Sequence, residues 1–327
     1  MVRLAGAKGI IRRGAPGIEK RMIVKAKRSG LTIVEMLVVV GIISLLVGML
    51  LPAVNKVKKM AREAKQKVQF TAIEIGLATF KNDYGDFPPS DRYTRLADTG
   101  STENSSGAQK LAEALLGWDL LGFHPDSGFR VDGMNRWDYS DGTTTHAPGT
   151  YWLYDRTVDR EMEKRRDRYI DIDTANVVRL GHAASSGGLF DLTGSWADAA
   201  DTFVIGDVFG KGRDVILDGA RKKSGLPVLY YRADTSGKAV RQVYNHLDND
   251  QLIAIKEATD VARKGTPTSG LWNPLAGVAD EFYLDIRDPR ASTTDFDAPQ
   301  KPDSYILISA GADGLYGTSD DIHNFSK

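Results

Sequence analysis

The chain has 327 residues, 43 basic and 43 acidic side chains and no cysteine, and 42% of its residues are hydrophobic. This length suffices for a globular domain with its own core, and the lack of cysteine excludes disulfides and thiolate metal sites. The charge is unevenly spread, because residues 1–30 hold nine bases and one acid, which leaves residues 31–327 with a net charge of −8. We therefore do not expect a nucleic-acid partner.

An apolar run follows this basic leader, and from Leu31 to Leu51 its one charged residue is Glu35. As a helix, these 21 residues would be about 31 Å long, which is enough to cross the hydrocarbon core of a bilayer. An acid inside a membrane helix costs about 2.5 to 3.5 kcal/mol, so we expect a positive partner for Glu35. An ordinary secretory signal has a shorter apolar region and a cleavage site after it, and it does not match this pattern.

The order of basic leader, Gly30, Leu31 and Glu35 resembles the prepilin signal of type IV pilins and of the pseudopilins of type II secretion systems. The resemblance implies that a prepilin peptidase cleaves between Gly30 and Leu31 on the cytoplasmic face and methylates the new amino group of Leu31. It also implies that Glu35 pairs with the amino terminus of a neighbouring subunit. Pro52 lies where these proteins carry a helix-interrupting proline. A simple signal anchor with Glu35 at the membrane interface is the alternative.

Charge alone does not orient this transmembrane segment of residues 31–54, because residues 11–30 hold seven Lys or Arg and residues 55–74 hold six. The resemblance implies a single-pass protein of the inner membrane, with the cleaved leader of residues 1–30 in the cytoplasm and the carboxyl-terminal domain in the periplasm. Met22 is an alternative start, and it would give a leader of nine residues.

Residues 55–85 are predicted to form an amphipathic helix, because apolar residues recur there at helical spacing. Basic residues crowd its first half, where they would be solvated or contact membrane lipid, and no site is assigned to them. Gly85 and the prolines that follow it predict the end of the helix near Gly85. The exit Tyr84–Pro88 is also typical of the pseudopilin family.

Residues 86–327 are predicted to form a periplasmic globular head. We expect a short helix at Gln109–Leu121, a charged helix or loop at Asp159–Arg168, and a long insertion at 122–200. Runs rich in β-branched or aromatic residues predict strands at Thr202–Ile205, Leu226–Arg232, Glu281–Ile286 and Ser304–Ser309. The expected fold is α+β and pilin-like, with the long amino-terminal helix packed on one face of an antiparallel β-sheet.

A Gly-rich loop near the carboxyl terminus gathers Asp313, Asp320 and Asp321. Calcium takes six to eight oxygen ligands, and such a loop can present carboxylates and carbonyls together. The loop resembles the calcium-binding loop of the major pseudopilin of type II secretion systems, with matches at Ser309, Gly311, Asp313, Gly314, Asp321 and Ile322. The resemblance implies calcium bound by Asp313, by one or both of Asp320 and Asp321, and by the carbonyl of Ala310. A solvated acidic turn is the alternative.

No catalytic residue is assigned, because the histidines lack the helical spacing of a zinc site and the sequence has no nucleophile elbow. The sequence instead predicts a non-enzymatic subunit of a type II secretion pseudopilus, a filament that drives protein export. Its expected partners are copies of itself, other pilin-like subunits and an inner-membrane assembly platform. The alternatives are a type IV pilus subunit for adhesion or motility and a membrane-anchored periplasmic enzyme or binding protein.

Overall fold

The computed structural model describes most of the chain after residue 31. The described residues are 32–91, 93–95, 102–181, 188–190, 198–210, 213–217, 220–250, 252–253, 275 and 279–326. The chain divides into two units, residues 1–54 and residues 55–327.

The first helix, α1, runs from Ile33 to Tyr84. It continues through Pro52, so this proline does not interrupt the helix. A proline removes one backbone hydrogen bond from a helix, and apolar membrane helices tolerate that loss because the surrounding turns adjust. After Tyr84 the chain leaves the helix at Gly85, whose φ of 85° is a conformation that glycine adopts without steric cost. The predicted end of the helix near Gly85 is confirmed.

The remaining elements are short, and every pair of strands is antiparallel. The helices are α2 (Gly107–Leu116), α3 (Asp159–Lys164), α4 (Ile172–Ala175), α5 (Val240–Val243) and α6 (Ala279–Asp285). The strands are β1 (Tyr93–Arg95), β2 (Thr102–Asn104), β3 (Tyr139–Ser140), β4 (Thr145–His146), β5 (Val177–Arg179), β6 (Phe203–Ile205), β7 (Arg213–Leu217), β8 (Ala220–Ser224), β9 (Leu229–Arg232), β10 (Tyr305–Ser309) and β11 (Ile322–His323). Among the described residues they form one three-stranded sheet, β11-β10-β9, and the two-stranded sheets β1-β2, β3-β4, β5-β6 and β7-β8.

The three-stranded sheet separates two apolar layers of the head. Tyr230 of β9 lies opposite Leu307 of β10, and both belong to a buried cluster that includes Ile73 of α1. Their neighbours Tyr231 and Ile306 belong to a different cluster. Since side chains alternate between the faces of a strand, the second half of α1 packs on one face of this sheet. The chain is therefore α+β, as expected.

The predicted short helix at Gln109–Leu121 is confirmed as α2, although it begins at Gly107 and ends at Leu116. The side chain of Ser106 accepts a hydrogen bond from the backbone N–H of Gln109, which caps the amino terminus of α2. At Gly76 of α1, an added Cβ would lie 3.1 Å from Leu115 of α2. This glycine lets the two helices approach closely.

Three of the four predicted strands are present, but they do not share one sheet. The runs at Leu226–Arg232 and Ser304–Ser309 contain β9 and β10, which pair with each other. The run at Thr202–Ile205 contains β6, which pairs with β5 instead.

The strand predicted at Glu281–Ile286 is wrong, because these residues lie in and just after α6. Phe282, Tyr283 and Ile286 are all buried, whereas Leu284 is 57% exposed. A spacing of one, three and four residues places these three buried side chains on one helical face. Asp280 and Glu281 also lie in the first turn, where acids interact favourably with the helix dipole. The aromatic content of the run had favoured a strand, but its spacing is helical.

Candidate assembly segment and carboxyl-terminal loop

The first half of α1 carries an apolar surface that the described part of the chain does not cover. Its large apolar side chains between Ile33 and Leu51 are 45–84% exposed. By length and composition this part of α1 can cross a membrane, and none of the most apolar stretch is buried. Burying such side chains is worth about 1.5 to 3 kcal/mol each. The surface therefore requires lipid or other protein chains around it.

Glu35 lies in the first turn of this apolar surface and contacts Thr32. The Glu35 Oε2 atom accepts hydrogen bonds from the backbone N–H of Thr32 at 2.8 Å and from its hydroxyl at 2.9 Å. The Thr32 Oγ1 atom in turn accepts a hydrogen bond from the Glu35 N–H at 3.2 Å. This reciprocal arrangement is a capping box that starts the helix. No basic side chain contacts Glu35 within the described part of the chain, and Gly30 and Leu31 lie outside it.

The carboxyl-terminal loop begins where β10 ends, at the fully buried Ala310. Gly311 has a φ of 62°, and an added Cβ there would lie 2.3 Å from the carbonyl oxygen of Asp320. A larger residue would therefore force the two ends of the loop apart. Gly311 brings the residues that follow β10 against those that precede β11.

Asp320 holds this loop together through its carboxylate. Its Oδ2 atom accepts hydrogen bonds from the backbone N–H groups of Ala312 at 2.7 Å and Asp313 at 3.0 Å. Its Oδ1 atom accepts one from the Thr318 hydroxyl at 2.6 Å. Burial alone would raise the pKa of Asp320, but these hydrogen bonds outweigh it and leave the pKa below its usual value. The Asp313 carboxyl also lies within hydrogen-bonding reach of the Asp320 carboxyl.

Asp321 contacts a different set of side chains. Its Oδ2 atom accepts a hydrogen bond from the Gly317 N–H at 2.7 Å. One ligand atom each from Asp285, Asp321 and His323 lies within 4.8 Å of the others. The Nε2 atom of His323 is 2.7 Å from Oδ2 of Asp285. Sequence reasoning missed this group, because Asp285 was assigned to a strand and nothing in the spacing links it to His323.

The loop therefore contains two adjacent polar groups with different ligand chemistry. Asp313 and Asp320 offer carboxylate oxygens, which are the type of ligand that calcium prefers. The group of Asp285, Asp321 and His323 includes an imidazole nitrogen, which calcium does not favour. Among the described residues, the acids expected as calcium ligands do not form one group of ligand atoms within 4.8 Å of one another, and Asp321 belongs to the group of Asp285 and His323.

A buried polar network, which no sequence pattern predicts, occupies the insertion before α4. Glu161 of α3 has no exposed surface, and its carboxylate contacts the Nε2 atom of His124 at 2.9 Å. It also accepts hydrogen bonds from the hydroxyls of Tyr139 and Tyr151. Burial raises the pKa of Glu161, but the bonds from Tyr139 and His124 outweigh it, so the pKa is lowered. Burial lowers the pKa of His124, which favours its neutral form.

A second buried acid, Glu113 of α2, lies beside this network. It accepts hydrogen bonds from the hydroxyls of Ser127 and Tyr154. Burial raises its pKa to about 7, and these hydrogen bonds only partly offset that effect. These polar contacts join α2 to the insertion beside the apolar packing of Ala114 against Phe123. We assign them a structural role.

Comparisons of this chain with family models, with curated proteins and with solved structures found no match. The function must therefore be inferred from the residues and contacts of the chain itself.

Proposed function

We propose that this chain is a pilin-like structural subunit of a type II secretion pseudopilus, a filament that drives protein export. The observation that supports the proposal most strongly is the first half of α1. It has an apolar surface that the described residues leave exposed, and a single acid, Glu35, lies in its first turn. A subunit that moves from lipid into a filament core needs such a surface, because lipid covers it first and neighbouring subunits cover it later.

Maturation would give Glu35 its partner. Cleavage by a prepilin peptidase between Gly30 and Leu31 frees the amino group of Leu31, which is then methylated. In the assembled filament this amino group pairs with Glu35 of a neighbouring subunit. Removing both charges from water is costly, so the ion pair need not add much net stability to the filament. We propose that it sets the axial register between neighbouring subunits. The assembly partners are further copies, other pilin-like subunits and an inner-membrane assembly platform.

The rest of the molecule is consistent with a pilin-like arrangement in the inner membrane. The second half of α1 packs on one face of an antiparallel sheet through Phe70, Ile73 and Leu77. These contacts anchor residues 66–80 of α1 within the head unit. In the proposed topology, α1 crosses the membrane once and the head lies in the periplasm.

We also propose that the carboxyl-terminal loop binds calcium. The carboxylates of Asp313 and Asp320 support this, because oxygen atoms are the ligands that calcium prefers. The Ala310 carbonyl and Asp321 complete the proposed ligand set. The ion would supply positive charge that holds the two ends of the loop together, and it would stabilise the head in a medium that contains calcium.

Replacing Glu35 tests the proposed function. We expect Glu35→Ala to insert into the membrane normally but to lose filament assembly, as measured by shearing filaments from cells or by cross-linking neighbouring subunits. Glu63→Ala is the matched control, because Glu63 lies on the same helix with a single exposed ion pair to Lys59 at 3.9 Å. Filaments of normal length and number from Glu35→Ala would contradict the proposal, as would equal loss in both variants.

A further inference from the structure

A cationic pocket lies beside the first turns of α1 in the head unit. It has a volume of about 360 Å³ and is lined by Asn55, Lys58, Lys59, Arg62, Phe209 and Ala312. Four of these residues come from α1, and Phe209 and Ala312 come from two loops that pack beside it. The pocket thus presents three cations and an amide next to two apolar side chains.

The two loop walls of the pocket are held in place by buried hydrogen bonds. The residue before Phe209, Val208, donates its backbone N–H to the side chain of Gln66 at 3.0 Å. Gln66 is a fully buried residue of α1. The N–H of Phe209 is itself held by Asp207 at 3.0 Å. On the other wall, Asp320 accepts the N–H of Ala312 at 2.7 Å. The pocket is therefore a fixed feature of the fold and not a chance gap beside mobile lysines.

The positive charge of this pocket is poorly neutralised by the protein. Lys59 lies 3.9 Å from the carboxylate of Glu63, whereas Lys58 and Arg62 make no hydrogen bond or ion pair within the described part of the chain. The segment 55–67 holds six bases and one acid, although the rest of residues 31–327 holds 28 bases and 41 acids. A local excess of cations in an acidic protein indicates an anionic ligand.

The place of the pocket along the chain favours a lipid as the source of that anion. Lys58 and Arg62 follow the apolar stretch that ends at Leu51 within the same helix. Helical side chains lean toward the amino terminus of their helix, which here is the apolar end. Bases that adjoin a membrane helix attract anionic lipid headgroups. The apolar side chains of Phe209 and Ala312 also suit the glycerol and upper acyl carbons of a phospholipid.

We propose that the pocket formed by Asn55, Lys58, Lys59, Arg62, Phe209 and Ala312 binds the phosphate headgroup of an anionic membrane phospholipid. Bound lipid would hold this first part of the head unit, residues 55–62 of α1, at the membrane surface. This inference depends on the membrane anchoring that is part of the proposed function. It does not depend on filament assembly, which can fail without affecting it.

The test uses the full chain in nanodiscs of phosphatidylcholine mixed with phosphatidylglycerol, and native mass spectrometry measures which lipid the released protein retains. We expect phosphatidylglycerol to be retained preferentially. The double variant Lys58→Gln with Arg62→Gln should reduce that retention roughly tenfold or more. Lys65→Gln with Lys67→Gln is the matched control, because it removes the same charge from exposed positions of α1 that do not line the pocket.

A third variant, Asn55→Trp, fills the pocket without changing its charge and should also lose the lipid. The proposal would be overturned if Lys65→Gln with Lys67→Gln lost as much phosphatidylglycerol as Lys58→Gln with Arg62→Gln. Such a result would show that the lipid is attracted to the helix as a whole. Equal retention of the two lipids would also overturn it. Titration with inorganic phosphate distinguishes the other source of the anion, since binding of free phosphate as tight as that of the lipid would contradict a lipid site. Assembly is not part of any readout, so a failed filament experiment leaves these outcomes unchanged.

Discussion

Residues 33–51 and residues 66–80 belong to the same helix, yet their apolar side chains have opposite surroundings. In the first stretch Leu37 is 70% exposed, whereas in the second Ile73 and Leu77 have no exposed surface. In the second stretch Phe70, Ile73 and Leu77 recur at helical spacing and are buried, so the head covers that face of the helix. The first stretch is apolar on all sides and needs a surrounding apolar medium. The two stretches of this helix therefore need different surroundings, and the head covers only the second stretch.

Removing the first stretch should produce the largest change. A chain that begins at Asn55 is expected to leave the membrane fraction and to remain folded and monomeric, because it keeps the whole of the second unit. Gel filtration and circular dichroism measure this. A chain that begins at Ile75 is the control, because it also loses Phe70 and Ile73 from the core, and it should not fold. A chain from Asn55 that aggregates or unfolds would show that the head depends on the first stretch.

Core substitutions in the second stretch give the next largest effect. Ile73 is fully buried between α1 and the sheet, so Ile73→Ala should lower the free energy of unfolding by about 2 to 5 kcal/mol. Ile75 lies two residues further on the same helix but is 63% exposed. We expect Ile75→Ala to change the free energy of unfolding by about 0.5 kcal/mol or less. Urea denaturation of both variants measures the difference, and similar values would contradict the packing described for α1.

Calcium should act on the head and not on the first stretch of α1. At a concentration of about 100 times the dissociation constant, it should stabilise the head by about 2.7 kcal/mol, measured as a rise in melting temperature. Asp313→Asn with Asp320→Asn should abolish that rise. Asp303→Asn, an exposed acid outside the loop, is the control and should retain it. His323→Asn should retain it too, because the imidazole belongs to the other group of side chains. A rise that survives the loss of both loop acids would exclude the proposed ligands.

The smallest predicted effect concerns pH. Burial raises the pKa of Glu113 to about 7 from a usual value of 4.5. The folded head therefore binds this proton more tightly than the unfolded chain does. The stabilisation is full below pH 4.5 and is lost as the pH rises through 7. Glu113→Gln should remove about 2.5 kcal/mol of pH dependence between pH 5 and pH 8. Glu163→Gln, an exposed acid, should leave it unchanged; the same loss in both variants would rule out this explanation.

The sequence predicted the elements whose residues carry a regular pattern. The length of the apolar run, the helical spacing up to Tyr84 and the stop at Gly85 are all local, and all three appear in α1. β9 and β10 also followed from their composition. The same criterion wrongly predicted a strand at Glu281–Ile286, because its aromatic content favoured a strand while the spacing of its buried residues is helical.

The parts that the sequence did not predict depend on residues far apart in the chain. Asp285 contacts His323, which lies 38 residues away in the sequence, and Glu113 contacts Tyr154, which lies 41 residues away. Charged side chains usually lie at the surface, so the hydrophobic pattern of a sequence does not predict a buried acid. Similarly, the cations of the pocket were visible in the sequence, but its walls at Phe209 and Ala312 were not.

The most direct test of the proposed assembly is the mass of the protein extracted from its native membrane. If Glu35 pairs with the amino terminus of a neighbouring subunit, the mature chain must begin at Leu31 and carry one added methyl group. An intact leader, or an amino terminus beyond Pro52, would contradict the account, because no free amine would then lie at the start of the apolar helix.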